Sequence, residues 1–174
     1  MKTKIITFII LSFSSSFNLF ACDCKHQGNL KVLQKIEFDN SECIFIAEVL
    51  KIDPETNTFI FKVMESFSEN SIDNIQIGVY DEFCGPTINE KGRWLIYGNF
   101  DSENRIKINH CGLSRSFKNP ENNIMVLPAP LLKPDLKINR KERDKEQSDY
   151  KRRAQKIAQE DLKSEISNLR SNTK

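Results

Sequence analysis

The sequence predicts an all-β core of five short strands, preceded by one short helix and followed by a long charged helix. Three observations carry this expectation. Runs rich in β-branched and aromatic residues recur at short intervals from Cys43 to Cys111. Clusters of turn-forming residues separate them. After Asn139 the chain becomes strongly charged and loses both proline and glycine.

Residues 1–21 form the first segment. Lys2 and Lys4 give it a positive start, Ile5 to Phe13 is almost wholly apolar, and Ala21 closes it. This is the layout of a secretory signal peptide, and its apolar stretch is shorter than a membrane span. An extracytoplasmic location is therefore expected, with Cys22 as the new N-terminus. Leu19-Phe20-Ala21-Cys22 also resembles a bacterial lipobox, so plain secretion and lipidation at Cys22 both remain open. Membrane contact is expected only through that lipid.

Next, Asn29 can cap a short helix with Leu30, Leu33 and Ile36 on one face. Cys43 to Ile52 and Thr58 to Phe67 read as a hairpin around the turn Pro54-Glu55-Thr56-Asn57. Ile72 to Tyr80, Arg93 to Phe100 and Arg105 to Cys111 supply three further strands, with turns at Glu90-Lys91-Gly92 and at residues 101–104. Five short strands with turns between them and one early helix suggest a small closed β-barrel, although sequence alone does not distinguish it from a sandwich. Residues 127–139 carry prolines 128, 130 and 134 and read as an extended connector. In residues 140–174, Tyr150, Ala154 and Ile157 fall at helical spacing, as do Ala158, Leu162, Ile166 and Leu169; Asp149 and Arg153 form an i,i+4 pair. The expectation is a solvated helix or frayed tail. The organisation is thus 1–21 signal, 22–126 core domain, 127–139 connector and 140–174 charged helical tail.

Charge excludes one class of function. The chain carries a net charge of +2, and removing Lys2 and Lys4 leaves zero, divided into +4 over residues 140–174 and −4 over residues 22–139. An acidic body does not argue for nucleic acid. No G-x-S-x-G, H-E-x-x-H or P-loop occurs, so neither catalysis nor a cofactor is expected.

The five cysteines, at 22, 24, 43, 84 and 111, all follow the signal. After export they read as disulfides with one left over. Cys43 begins an apolar strand and reads as a buried free thiol. A rival reading gathers Cys22, Cys24, His26 and His110 into a zinc site of the protein's own.

The order Cys22-Asp23-Cys24, the strand CIFIAEV, Cys84-Gly85, Gly92, Trp94-Leu95-Ile96-Tyr97 and Cys111 resembles the N-terminal domain of tissue inhibitors of metalloproteinases, especially their short bacterial relatives. The resemblance covers about residues 22–120 and implies a five-stranded OB-fold barrel of the netrin-module type. It also implies bridges Cys22–Cys84 and Cys24–Cys111, and a zinc metalloprotease as partner. In that family the first cysteine's α-amino group and carbonyl chelate the protease zinc. The carry-over makes Cys22 the chelator, Asp23 the residue entering the protease's specificity pocket, and Cys24 and Lys25 the flanking ridge. An envelope interaction module without inhibitory activity is the alternative.

Overall fold

The computed structural model describes residues 29–68, 75–124 and 140–172. The chain runs α1 (Leu30–Asn40), β1 (Cys43–Asp53), β2 (Thr58–Ser66), β3 (Ile75–Val79), β4 (Gly92–Phe100), β5 (Ile106–Ile108), β6 (Arg115–Ser116), a 3-10 turn (Pro120–Asn123) and α2 (Arg140–Asn172).

Strands β1, β2, β3, β5 and β4 pair in that order, and β1 pairs with β4 to close the barrel. All pairings are antiparallel except β3 with β5. Two irregularities in β1, at Ile46/Ala47 and Val49/Lys51, let that strand coil enough to pair on both sides. The barrel is therefore closed and OB-fold-like, with a helix before it and a helix after it.

The burial pattern explains the apolar runs. The interior is filled by Phe45, Ala47, Val49, Phe59, Phe61, Val63, Trp94, Ile96, Ile106 and Ile108. The outward residues of β1 and β4, including Ile44, Ile46, Leu95 and Tyr97, form a second core with Leu162, Ile166 and Leu169 of α2. Both faces of these two strands are covered, so CIFIA and WLIYG read as unbroken apolar segments. Strand β2 instead alternates buried and half-exposed residues from Thr58 to Val63, the pattern of a strand with one face on the core. The tip of the Phe59 ring lies against Gly78, where any Cβ would fall 2.1 Å from Cζ. Trp94 is an interior residue, and its indole N–H donates to the Glu90 carbonyl at 2.9 Å.

Several expectations need correction. Helix α1 has its Asn29 cap, with Val32 N–H donating to Oδ1 at 3.1 Å. Its inward face, however, is Leu30, Leu33, Glu37 and Phe38, while Ile36 is about half exposed. The reason is that a carboxylate, Glu37, occupies the position where periodicity places an aliphatic. The fifth strand stops at Ile108 rather than at Cys111, because Cys111 adopts φ 54°, outside any strand conformation. Residues 72–74, read as the start of the third strand, lie outside the described residues. Asp149 pairs with Arg152 at 2.9 Å, whereas Arg153 donates to the Asp149 backbone carbonyl.

The charged tail is the largest correction. Helix α2 is a docked element from Ala154 onward: Ala154, Ala158, Leu162, Glu165, Ile166 and Leu169 are all buried. Their i, i+4 spacing makes a narrow stripe on an otherwise highly charged helix, and it is packed rather than solvated. The stripe seats over β1 and β4, and Arg170 makes a two-pronged ion pair with Glu65 of β2 at 2.7 Å. Under the helix lies a buried polar knot. Tyr97 Oη donates to Glu165 Oε1 at 2.7 Å, and Arg115 Nη2 donates to Glu165 Oε2.

Candidate docking edge

Two cysteine-bearing turns meet at one end of the barrel. In the first, after β3, Asp81 Oδ1 accepts from the Phe83 amide at 2.8 Å and from the Cys84 amide at 3.1 Å. This side-chain-to-backbone turn is the usual use of aspartate at such a position. The Phe83 amide in particular, with help from the Cys84 amide and the charges of His110 and Lys107, holds the Asp81 carboxyl below its ordinary range. The turn leaves the Phe83 ring 81% exposed.

The second turn, after β5, brings Cys111 against Cys84: the Cys111 amide donates to the Cys84 carbonyl at 2.8 Å. Its left-handed φ is held from beneath. Glu37 Oε1 accepts from the Asn109 side chain at 3.2 Å and the Leu113 amide at 3.3 Å. The Asn109 amide group also donates to Ser41 Oγ at 2.8 Å. Gly112 has no alternative here, since a Cβ would sit 2.5 Å from Glu37 Oε1 and 2.8 Å from the Asn109 carbonyl. Helix α1 therefore shapes the turn that carries Cys111.

Cys84 and Cys111 are both disulfide-bonded, whereas Cys43 is buried in the barrel outside any disulfide. Cys22, Asp23, Cys24, Lys25 and His26 lie outside the described residues. Of the expected site, the structure thus describes the two barrel cysteines and their surroundings. Asp81, Cys84 and His110 bring a carboxylate oxygen, a sulfur and an imidazole nitrogen within 4.8 Å of one another. That sulfur belongs to a disulfide, so it cannot supply the thiolate that a zinc site takes from cysteine.

Sequence reasoning missed Phe83, Asp81 and Glu37. The tetrapeptide Asp81-Glu82-Phe83-Cys84 carried a usable signal for the first two: an aspartate whose side chain can accept from the amides two and three residues later marks a turn. Glu37 carried none, because a buried glutamate on a helix face is visible only once its acceptor role is known.

Burial, above all, pushes the Glu37 carboxyl up; the Leu113 amide and Asn109 pull it back, and the charge of Glu165 adds to the rise. The fold therefore disfavours the ionised form. Its contribution is fully present below the ordinary carboxylate range and is lost as pH rises through the raised value. Glu37→Gln keeps the accepting oxygen and removes the charge. Its urea midpoint is expected to gain on that of the parent as pH rises from roughly 4 to 8. Parallel profiles for the two proteins would show that Glu37 imposes no such penalty.

No protein-family model matches the chain, and no curated protein matches it. Among the described residues, no helix is long and apolar enough to cross a membrane.

Proposed function

We propose that this is an exported, disulfide-tied binding protein of the metalloprotease-inhibitor type. It docks the ridge Cys22-Asp23-Cys24-Lys25 on the active-site zinc of a metalloendopeptidase. The observation that carries the reading is the meeting of two disulfide-bonded cysteines, Cys84 and Cys111, on hydrogen-bonded turns beside the exposed Phe83. In an extended Cys22-Asp23-Cys24 segment both sulfurs project to one side. Bridges Cys22–Cys84 and Cys24–Cys111 would then fasten the mature terminus across this edge and hold it rigid. A preorganised terminus loses little freedom on binding, and its α-amine, with an ordinary pKa of about 8, can release its proton to zinc.

Asp23 sets the specificity under this reading. A carboxylate entering an apolar pocket without a partner is unfavourable, so the fitting protease offers a polar or cationic one. Phe83 is the anchor beside the ridge.

Two measurements test the proposal. Mass spectrometry of the mature N-terminus should find Cys22 with a free amine, whereas a diacylglyceryl adduct there would select the lipid-anchored interaction module instead. Against a panel of zinc endopeptidases, the mature protein should inhibit at least one. Asp23→Thr should change which member is inhibited best, and Phe83→Ala should weaken inhibition by about 2 kcal/mol while leaving the thermal midpoint unchanged. A panel wholly insensitive to the protein and to Asp23→Thr would eliminate the inhibitor reading.

A further inference from the structure

A groove of about 530 Å³ runs beside the docking edge, between the Phe83 turn and the middle of α2. Phe83, Pro86, Ile124, Tyr150 and Ala154 give it apolar walls, and Glu121 of the 3-10 turn lines it. Glu121 Oε2 is buried and has no hydrogen-bond partner among the described residues. A buried carboxylate oxygen without a donor is unfavourable, and a charged donor relieves it most strongly. Two of the lining residues, Phe83 and Tyr150, are aromatic, and aromatic faces attract cations. The −4 charge of residues 22–139 has the same preference. Lys151 also lines the groove, but it is exposed and makes no ion pair with Glu121.

We propose that this groove is a recognition pocket for a basic side chain, with Glu121 as the acceptor and Phe83 and Tyr150 as aromatic walls. A guanidinium suits it best, because it is planar, stacks on rings and donates in a fixed fork. That the basic side chain is presented by a protein docked on the neighbouring edge rests on the inhibitor reading; the chemistry of the pocket does not.

The test needs no protease. The isotopically labelled mature protein is titrated with methylguanidinium chloride at constant ionic strength, with methylurea as the neutral probe of similar shape. The amides of Phe83, Cys84, Ile124 and Tyr150 should shift saturably with methylguanidinium and not with methylurea. Glu121→Gln should bind about tenfold more weakly, and Phe83→Ala should also bind more weakly if the glutamine variant does not fold. Absence of saturation, equal response to methylurea, or unchanged affinity in the variants overturns the proposal. Saturable, Glu121-dependent binding alongside a negative protease panel would keep the pocket and remove the inhibitor reading. An inhibited protease with no methylguanidinium binding would do the reverse.

Discussion

Glu165→Ala is expected to destabilise the folded chain by about 3–5 kcal/mol, the usual penalty for breaking a buried ion pair from one side. The size follows from what the substitution leaves behind. Arg115 is wholly buried, and its Nε and Nη1 have no hydrogen-bond partner among the described residues, so Nη2 to Glu165 carries its compensation. Removing the carboxylate strands a guanidinium under α2 and deprives the Tyr97 hydroxyl of its acceptor at 2.7 Å. Burial pushes the Glu165 carboxyl up, while Arg115, Tyr97 and Gln34 draw it back. The double replacement Arg115→Met with Glu165→Leu should recover most of the loss, since apolar residues of similar volume often match a buried pair. Urea denaturation of the oxidised protein is the measurement. A loss below about 1 kcal/mol for Glu165→Ala would mean that α2 does not dock in solution.

Replacing both Cys84 and Cys111 by serine should be comparably severe and should also abolish docking. If they pair with Cys22 and Cys24, each bridge closes a loop of more than sixty residues. In the chain-entropy model each such closure is worth about 4 kcal/mol. Peptide mapping without reduction should recover Cys22–Cys84 and Cys24–Cys111, and the serine variant should unfold at a midpoint insensitive to reductant. Cys43→Ala, by contrast, should leave the reductant response of the parent intact, because Cys43 is buried inside the barrel and takes no part in a disulfide. Recovery of the opposite pairing would disconnect the terminus from the geometry that the inhibitor reading requires.

The strands were legible because burial leaves a pattern that local residues can carry. The strict alternation of β2 and the unbroken apolar runs of β1 and β4 each record which faces are covered. The turn after β1 was likewise readable from Pro54 to Asn57, where Asn57 adopts φ 52°, a conformation that asparagine tolerates. The two-residue strand β6 and the 3-10 turn were not readable. Arg115-Ser116 has neither the length nor the apolar content of a strand, and it pairs only because β4 presents Trp94 and Leu95 opposite it.

The candidate site divides the same way. Cys84 and Cys111 stood out by their chemistry, since cysteines in a chain expected to be exported read as disulfides. That they share one edge, with a backbone hydrogen bond between them and Phe83 exposed alongside, depends on strands β3 and β5 running parallel at their ends. Nothing local in either segment encodes that neighbourhood.

By itself, then, the sequence determined the all-β core, the two flanking helices and the cysteine set, because periodicity and residue type act over a few positions. Only the tertiary structure decided that the barrel closes through β1 and β4, that α2 is part of the fold, and that Glu37 and Glu165 are buried. Each of these depends on groups far apart in the chain. Glu165 reaches Tyr97 across 68 positions and Arg115 across 50, and Glu37 reaches Leu113 across 76. A charged residue on a charged helix signals solvent until the partner that neutralises it arrives from elsewhere in the fold.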